Sequence, residues 1–174
     1  MTPKLVVCTI GHSTRSIEEF VHLLRAHGIE RVIDVRSIPR SRHNPQFNRD
    51  ALSRSLHNRR IRYRHLKALG GLRHARKDSP NMGWRNASFR GFADYMQTPE
   101  FNAALAALIA LARQRPSAIM CAEAVPWRCH RSLIADALTV RGIAVRHITS
   151  PMRAEPHALR DMAKVEGTRI SYPG

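Results

Sequence analysis

Eleven residues, Cys121-Ala-Glu-Ala-Val-Pro-Trp-Arg-Cys-His-Arg131, bring two thiols, a carboxylate, an imidazole and two guanidiniums into one short segment. The apolar run Ala118 to Met120 precedes it, and the helix-like run Ser132 to Val140 follows. That order predicts a strand, a short loop and a helix N-terminus. The unpaired amide protons and macrodipole of a helix N-terminus attract anions. A thiol there, among arginines, ionises more readily, and the thiolate is the reactive form. Cys129 fits this description better than Cys121, because it stands at the expected helix start beside Arg128 and Arg131. Cys121, at the strand end, also fits a small buried hydrophobe. Glu123 is the candidate general acid or base. The competing reading makes it the ion-pair partner of Arg36 or Arg131. His130 is a candidate proton shuttle.

For such residues to act together, the fold must deliver them to one place. Leu5 to Ile10, Arg31 to Val35, Ile61 to His65, Ala118 to Cys121 and Ala144 to Ile148 read as strands. Helices are expected from the cap Ser16 to Gly28, from the cap Asn48 to about Arg59, from Thr98-Pro99-Glu100 to about Gln114, and from about Cys129 to Arg141. Leu66 to Arg90 is the least regular stretch. The alternation predicts an α/β fold, a three-layer α/β/α sandwich with a mainly parallel sheet of about five strands. One domain is expected over residues 1–150, and a tail over 151–174 with one short helix and a frayed end.

Parallel sheets bind ligands beyond the carboxyl ends of their strands. The segments expected there are Gly11 to Thr14, Arg36 to Arg42, Lys67 to Arg73 and Glu123 to Arg131. All are polar, and their convergence predicts one site. His12 joins it as a second candidate proton shuttle. Ser13, Arg36, Arg40, Arg42, Arg73, Arg128 and Arg131 are the candidate anion-binding residues, since guanidinium forks match phosphate bidentately. Asp34 reads as structural, Phe47-Asn48 as a helix entry, and Trp84 and Trp127 as packing residues or stacking platforms.

The 174 residues carry a net charge of +16. Between Arg36 and Arg90 stand 15 Lys or Arg against two acids, Asp50 and Asp78. Such a window favours phosphate-bearing small molecules or nucleic acid as partners. Arginine outnumbers lysine 25 to 4, which compositional bias would also produce. No apolar stretch approaches the roughly 20 residues of a membrane span. Three widely spaced cysteines suggest a reducing, cytoplasmic setting rather than a disulfide scaffold.

Thr9-Ile-Gly-His-Ser13, Asp34-Val-Arg36 with Pro39, Pro45-Gln-Phe-Asn48, Leu69-Gly-Gly71 and Met120-Cys-Ala-Glu123 with Cys129-His-Arg131 together resemble the family catalogued as domain of unknown function 488. Val145-Arg-His-Ile148 also fits. The resemblance implies an α/β fold with bacterial and archaeal distribution, and no activity.

The residues themselves point to an enzyme working on a phosphate-bearing substrate by hydrolysis or group transfer. The arginines would hold phosphate, Glu123 would move a proton, and Cys129 or Cys121 would attack. A phosphatase-type loop needs an arginine six positions after its cysteine, but Trp127 stands there and Arg128 comes one residue late. Cys121, Cys129, His130 and His12 could ligate zinc, but the chain lacks a Cys-x-x-Cys pair, so no metal or cofactor is expected. The alternatives are a non-catalytic nucleic-acid-binding protein and a thiol-based sulfur or redox carrier.

Overall fold

The computed structural model describes residues 4–174; residues 1–3 of the expected domain lie outside them. The element order is β1 (Val6–Gly11), α1 (Ile17–Ala26), β2 (Arg31–Asp34), α2 (Arg49–Asn58), β3 (Arg62–His65), α3 (Ala87–Tyr95), α4 (Pro99–Gln114), β4 (Ser117–Cys121), α5 (Arg131–Thr139), β5 (Ala144–Ser150), β6 (Arg153–Pro156), β7 (Lys164–Glu166) and β8 (Arg169–Ser171). Six strands form one sheet in the order β3-β2-β4-β1-β5-β6. The first five are parallel, and β6 runs antiparallel against β5. Helices cover both faces. Phe20, Leu24, Leu52 and Leu56 from α1 and α2 pack on Ile10, Val32 and Met120. Phe92, Phe101, Leu108 and Leu133 from α3, α4 and α5 pack on Val7, Ile33 and Ile119. This is the expected three-layer α/β/α sandwich. Each fully buried Leu or Phe contributes about 1.5–3 kcal/mol.

Local signals explain most boundaries. Ser16 and Glu19 form a reciprocal capping box at α1, and Gly28 ends that helix region with φ +68°. Thr98 Oγ1 accepts from the Phe101 amide, with Pro99 at the first helical position of α4. Asn48 precedes α2, but its side chain does not cap that helix. Its Oδ1 accepts from the Ser41 amide at 2.7 Å and pins the basic loop after β2 instead.

The tail departs from expectation. No helix forms after residue 150; β6 extends the sheet, and β7 and β8 make a hairpin. Nor does its end fray. Tyr172 is fully buried, its amide donates to Asn81 Oδ1 at 2.9 Å, and its carbonyl accepts from the Gly83 amide at 2.8 Å. The tail thereby clamps the irregular stretch after β3. Asp94 of α3 holds the same stretch by accepting from Ser79 Oγ, Asn81 Nδ2 and the Arg76 amide.

Candidate active site

The strand ends of β1, β2 and β4 converge as the alternation predicts, and β4 lies between β2 and β1. Pairing continues past the strands: the amides of His12 and Ser13 donate to the carbonyls of Cys121 and Ala122, each at 2.9 Å. The Val35 amide donates to Met120 O at 3.0 Å. Cys121 is thus held from both sides. Gly11 permits this approach, because a Cβ there would collide with the Glu123 carbonyl. A cleft of about 380 Å³ opens above, with Arg36, Arg40, Cys121, Glu123, Arg128, Cys129 and His130 in its wall.

Arg131 is the first residue of α5 and is fully buried. Its Nη1 donates to Cys121 Sγ at 2.6 Å and to the Glu123 carbonyl, its Nη2 to the Ala124 carbonyl at 3.1 Å, and its Nε to Thr9 Oγ1 at 3.1 Å. Thr9 is fixed in turn by a buried chain. Its hydroxyl meets His147 Nδ1 at 2.6 Å, His147 Nε2 meets His157 Nδ1 at 2.8 Å, and His157 Nε2 meets Asp136 Oδ1 at 2.7 Å. Burial, then the charges of His157 and Arg131, push His147 down to about 3. Among the described residues Arg131 has no carboxylate partner.

That arrangement gives the two thiols different environments. Burial pushes Cys121 up, but a hydrogen bond from Cys129 and the charge and hydrogen bond of Arg131 outweigh it, bringing Cys121 down to about 7. Cys129 moves well up, because its proton is engaged with Cys121 and because it is buried. Cys129 also lies just ahead of α5 rather than within its first turn. Its Sγ sits 3.5 Å from His130 Nδ1. His130 Nε2 contacts the Val35 carbonyl at 2.9 Å, and burial pushes that imidazole down to about 4.

The other candidates divide. Arg36 is 7 % exposed and makes a two-pronged pair with Asp34, at 2.9 Å from Nε and 2.8 Å from Nη2, while Nη2 also reaches the Phe47 carbonyl. Tyr63 donates to Asp34 Oδ2 at 2.5 Å. The guanidiniums of Arg36 and Arg131 are therefore already engaged within the protein. The expected ion pair with Glu123 is not formed: Arg131 takes its backbone carbonyl, Arg36 takes Asp34, and the Glu123 carboxylate stays exposed at the cleft. His12 stacks on Phe47 with centroids 4.4 Å apart, and burial lowers it to about 4. Neither His12 nor half-buried Ser13 lines the cleft. Arg73 lies over Tyr95, 3.7 Å from its centroid, and exposed Arg42 is outside the cleft wall. Arg40 and Arg128 are the exposed guanidiniums that do line it. Trp84 packs edge-on against Tyr172, and Trp127 stacks on His157. Thr9, His147, His157 and Asp136 were missed as supports; the signals were the fit of Thr9 to Ser13 and of Val145 to Ile148 to the family pattern. No group of three or more metal-ligating side chains is arranged to hold an ion among the described residues.

A family model for the domain of unknown function DUF488 matches residues 16–138. The chain belongs to that family. The DUF488 match spans Asp34, Arg36, both site cysteines and Arg131, while His12 and His147 fall outside it. No curated protein and no solved structure matches the chain significantly.

Proposed function

We propose that this protein is an enzyme that uses the Cys121 thiolate as nucleophile on a phosphate-bearing substrate, in hydrolysis or group transfer. The observation that carries the reading is the fully buried Arg131 guanidinium, 2.6 Å from Cys121 Sγ and without a carboxylate partner among the described residues. A buried cation is costly unless compensated. Of the groups it touches, only the Cys121 thiol can become an anion, so the thiolate is the state that balances the site.

Arg40 and Arg128 at the cleft would hold the phosphate. Cys121 Sγ attacks phosphorus, the P–O bond to the leaving group breaks, and that oxygen takes a proton from the Glu123 carboxyl. Water or an acceptor hydroxyl then attacks phosphorus, gives its proton to the Glu123 carboxylate, and the S–P bond breaks to return the Cys121 thiolate. Cys129, whose thiol holds its proton more tightly, is not the attacking group. The test pairs iodoacetamide alkylation across pH with turnover of p-nitrophenyl phosphate. Expected are an alkylation midpoint near 7, loss of turnover in Cys121→Ser, and a large loss in Glu123→Gln. A midpoint at the ordinary thiol value of about 8.5 with no turnover overturns the reading.

One observation favours a second reading, a thiol-based sulfur or redox carrier: Cys121 and Cys129 both stand in the wall of the same cleft. Here Cys121 would accept sulfur or attack a disulfide, and Cys129 would resolve the adduct. Thiosulfate- or disulfide-dependent formation of a Cys121 adduct, without phosphate ester turnover, selects it.

A further inference from the structure

We infer that a groove at the far end of the sheet, distinct from the thiol cleft, binds the phosphate backbone of a single-stranded nucleic acid. Its volume is about 710 Å³, and Arg31, Arg60, Arg62, Arg64 and Arg115 line it with Tyr63. It flanks the edge strand β3 and the start of β2, whereas the thiol cleft lies beyond the C-terminal ends of the strands.

Three observations carry the inference. The first is uncompensated charge. Arg115 meets Glu30 at 3.3 Å, but Arg60, Arg62 and Arg64 have no carboxylate partner among the described residues. The groove is tight enough that burial, then Arg62, Arg64 and Arg115, lower the pKa of Arg31. Five cations gathered in a concavity raise the local concentration of an anion.

The second is spacing. Arg62 and Arg64 are both exposed and stand two residues apart on β3, so their side chains leave the same face about 7 Å apart. That separation is comparable to the distance between neighbouring phosphates on an extended strand. Among the described residues the outer edge of β3 has no partner strand, so a chain can lie along it. The third is Arg60, which occupies the left-handed position after α2 with φ +61°. Glycine is the usual occupant there, and an arginine places a charge at the groove mouth at conformational cost.

The chemistry favours nucleic acid over a lipid surface. The lining is guanidinium, hydroxyl and imidazole, and its one aliphatic residue, Ile61, is buried, so the groove offers nothing to insert into acyl chains. Arginine forks suit phosphate diesters.

The experiment measures anisotropy of fluorescein-labelled dT20 and rU20 with the intact protein over a range of KCl concentrations. Two double variants are compared: R62E/R64E in the groove, and R146E/R153E on β5 and β6 at the opposite side of the sheet, matched in charge change. Expected is binding that weakens with salt, at least a tenfold loss in R62E/R64E, and a log–log salt slope smaller by about 1.4, from about 0.7 per lost phosphate contact. R60E should give a partial loss, and R146E/R153E a clearly smaller one. Equal losses in the two double variants mean diffuse attraction and overturn the groove. So does sedimentation with phosphatidylserine vesicles in the absence of oligonucleotide binding. Cys121 alkylation is read on the same samples, so this proposal and the thiol reading stand or fall separately.

Discussion

Two arginines are buried near the C-terminal edge of the sheet, and they are neutralised in opposite ways. Arg36 faces the Asp34 carboxylate in a two-pronged pair closed by Tyr63 and the Phe47 carbonyl. Arg131 faces neutral oxygens and one thiol. The first arrangement is complete before any ligand arrives. The second holds positive charge in reserve, and Cys121 is the group positioned to use it. Burial of an arginine alone therefore says little; the identity of its counter-charge distinguishes the two.

Breaking each side of this contrast should give different signatures. The largest effect is expected from Asp34→Asn, which leaves Arg36 buried without its anion. Chemical denaturation should report a loss of about 3–5 kcal/mol, with the Cys121 alkylation midpoint nearly unmoved. Arg131→Met should do the converse. The Cys121 midpoint should rise past about 8.5 and alkylation at pH 7 should slow by about tenfold or more. An unmoved midpoint would sink the assignment of Cys121 as the thiolate.

Acid should weaken the folded state through the imidazoles packed around both arginines. His12 and His130 are held near 4 and His147 near 3, chiefly by burial, below the ordinary value of 6.5. The unfolded chain therefore binds more protons, and stability present above about pH 6.5 is lost as pH falls toward 4. Thermal melts between pH 7.5 and 4.5 should show a steady drop in Tm, and His147→Phe should flatten part of it. The smallest effect belongs to Cys129. Its alanine variant should raise the Cys121 midpoint modestly, while Cys129→Ser, which keeps a donor, should leave it near the wild-type value.

The fold was largely legible because its signals are local. Ser16-x-x-Glu19 announces a capping box, Thr98-Pro99 announces a helix start, and alternating strands and helices imply parallel pairing. The cleft formed by the segments after β2, β3 and β4 followed from that topology. What escaped depends on contacts between distant residues. The tail reads as a short helix because its mixed charge has no strand period, yet β6 forms because β5 offers an open edge. α3 was hidden inside an irregular basic stretch, although Asn86 caps it through the amides of Ser88 and Phe89. The different environments of Cys121 and Cys129 escaped for a similar reason. Proximity to a helix start favoured Cys129, whereas the decisive contact comes from Arg131, ten residues beyond Cys121 in sequence and directly against it in space.

The clamping of Cys121 between β1 and β2 has a consequence for what can meet it. Its carbonyl accepts from the His12 amide after β1, Met120 before it accepts from the Val35 amide after β2, and the residue is 2 % exposed in the cleft wall. A reagent must therefore enter the cleft to reach the sulfur. Access to Cys121 is expected to depend on the girth of the reagent. A slender electrophile such as iodoacetamide should reach Cys121, and a maleimide carrying a bulky polymer should not.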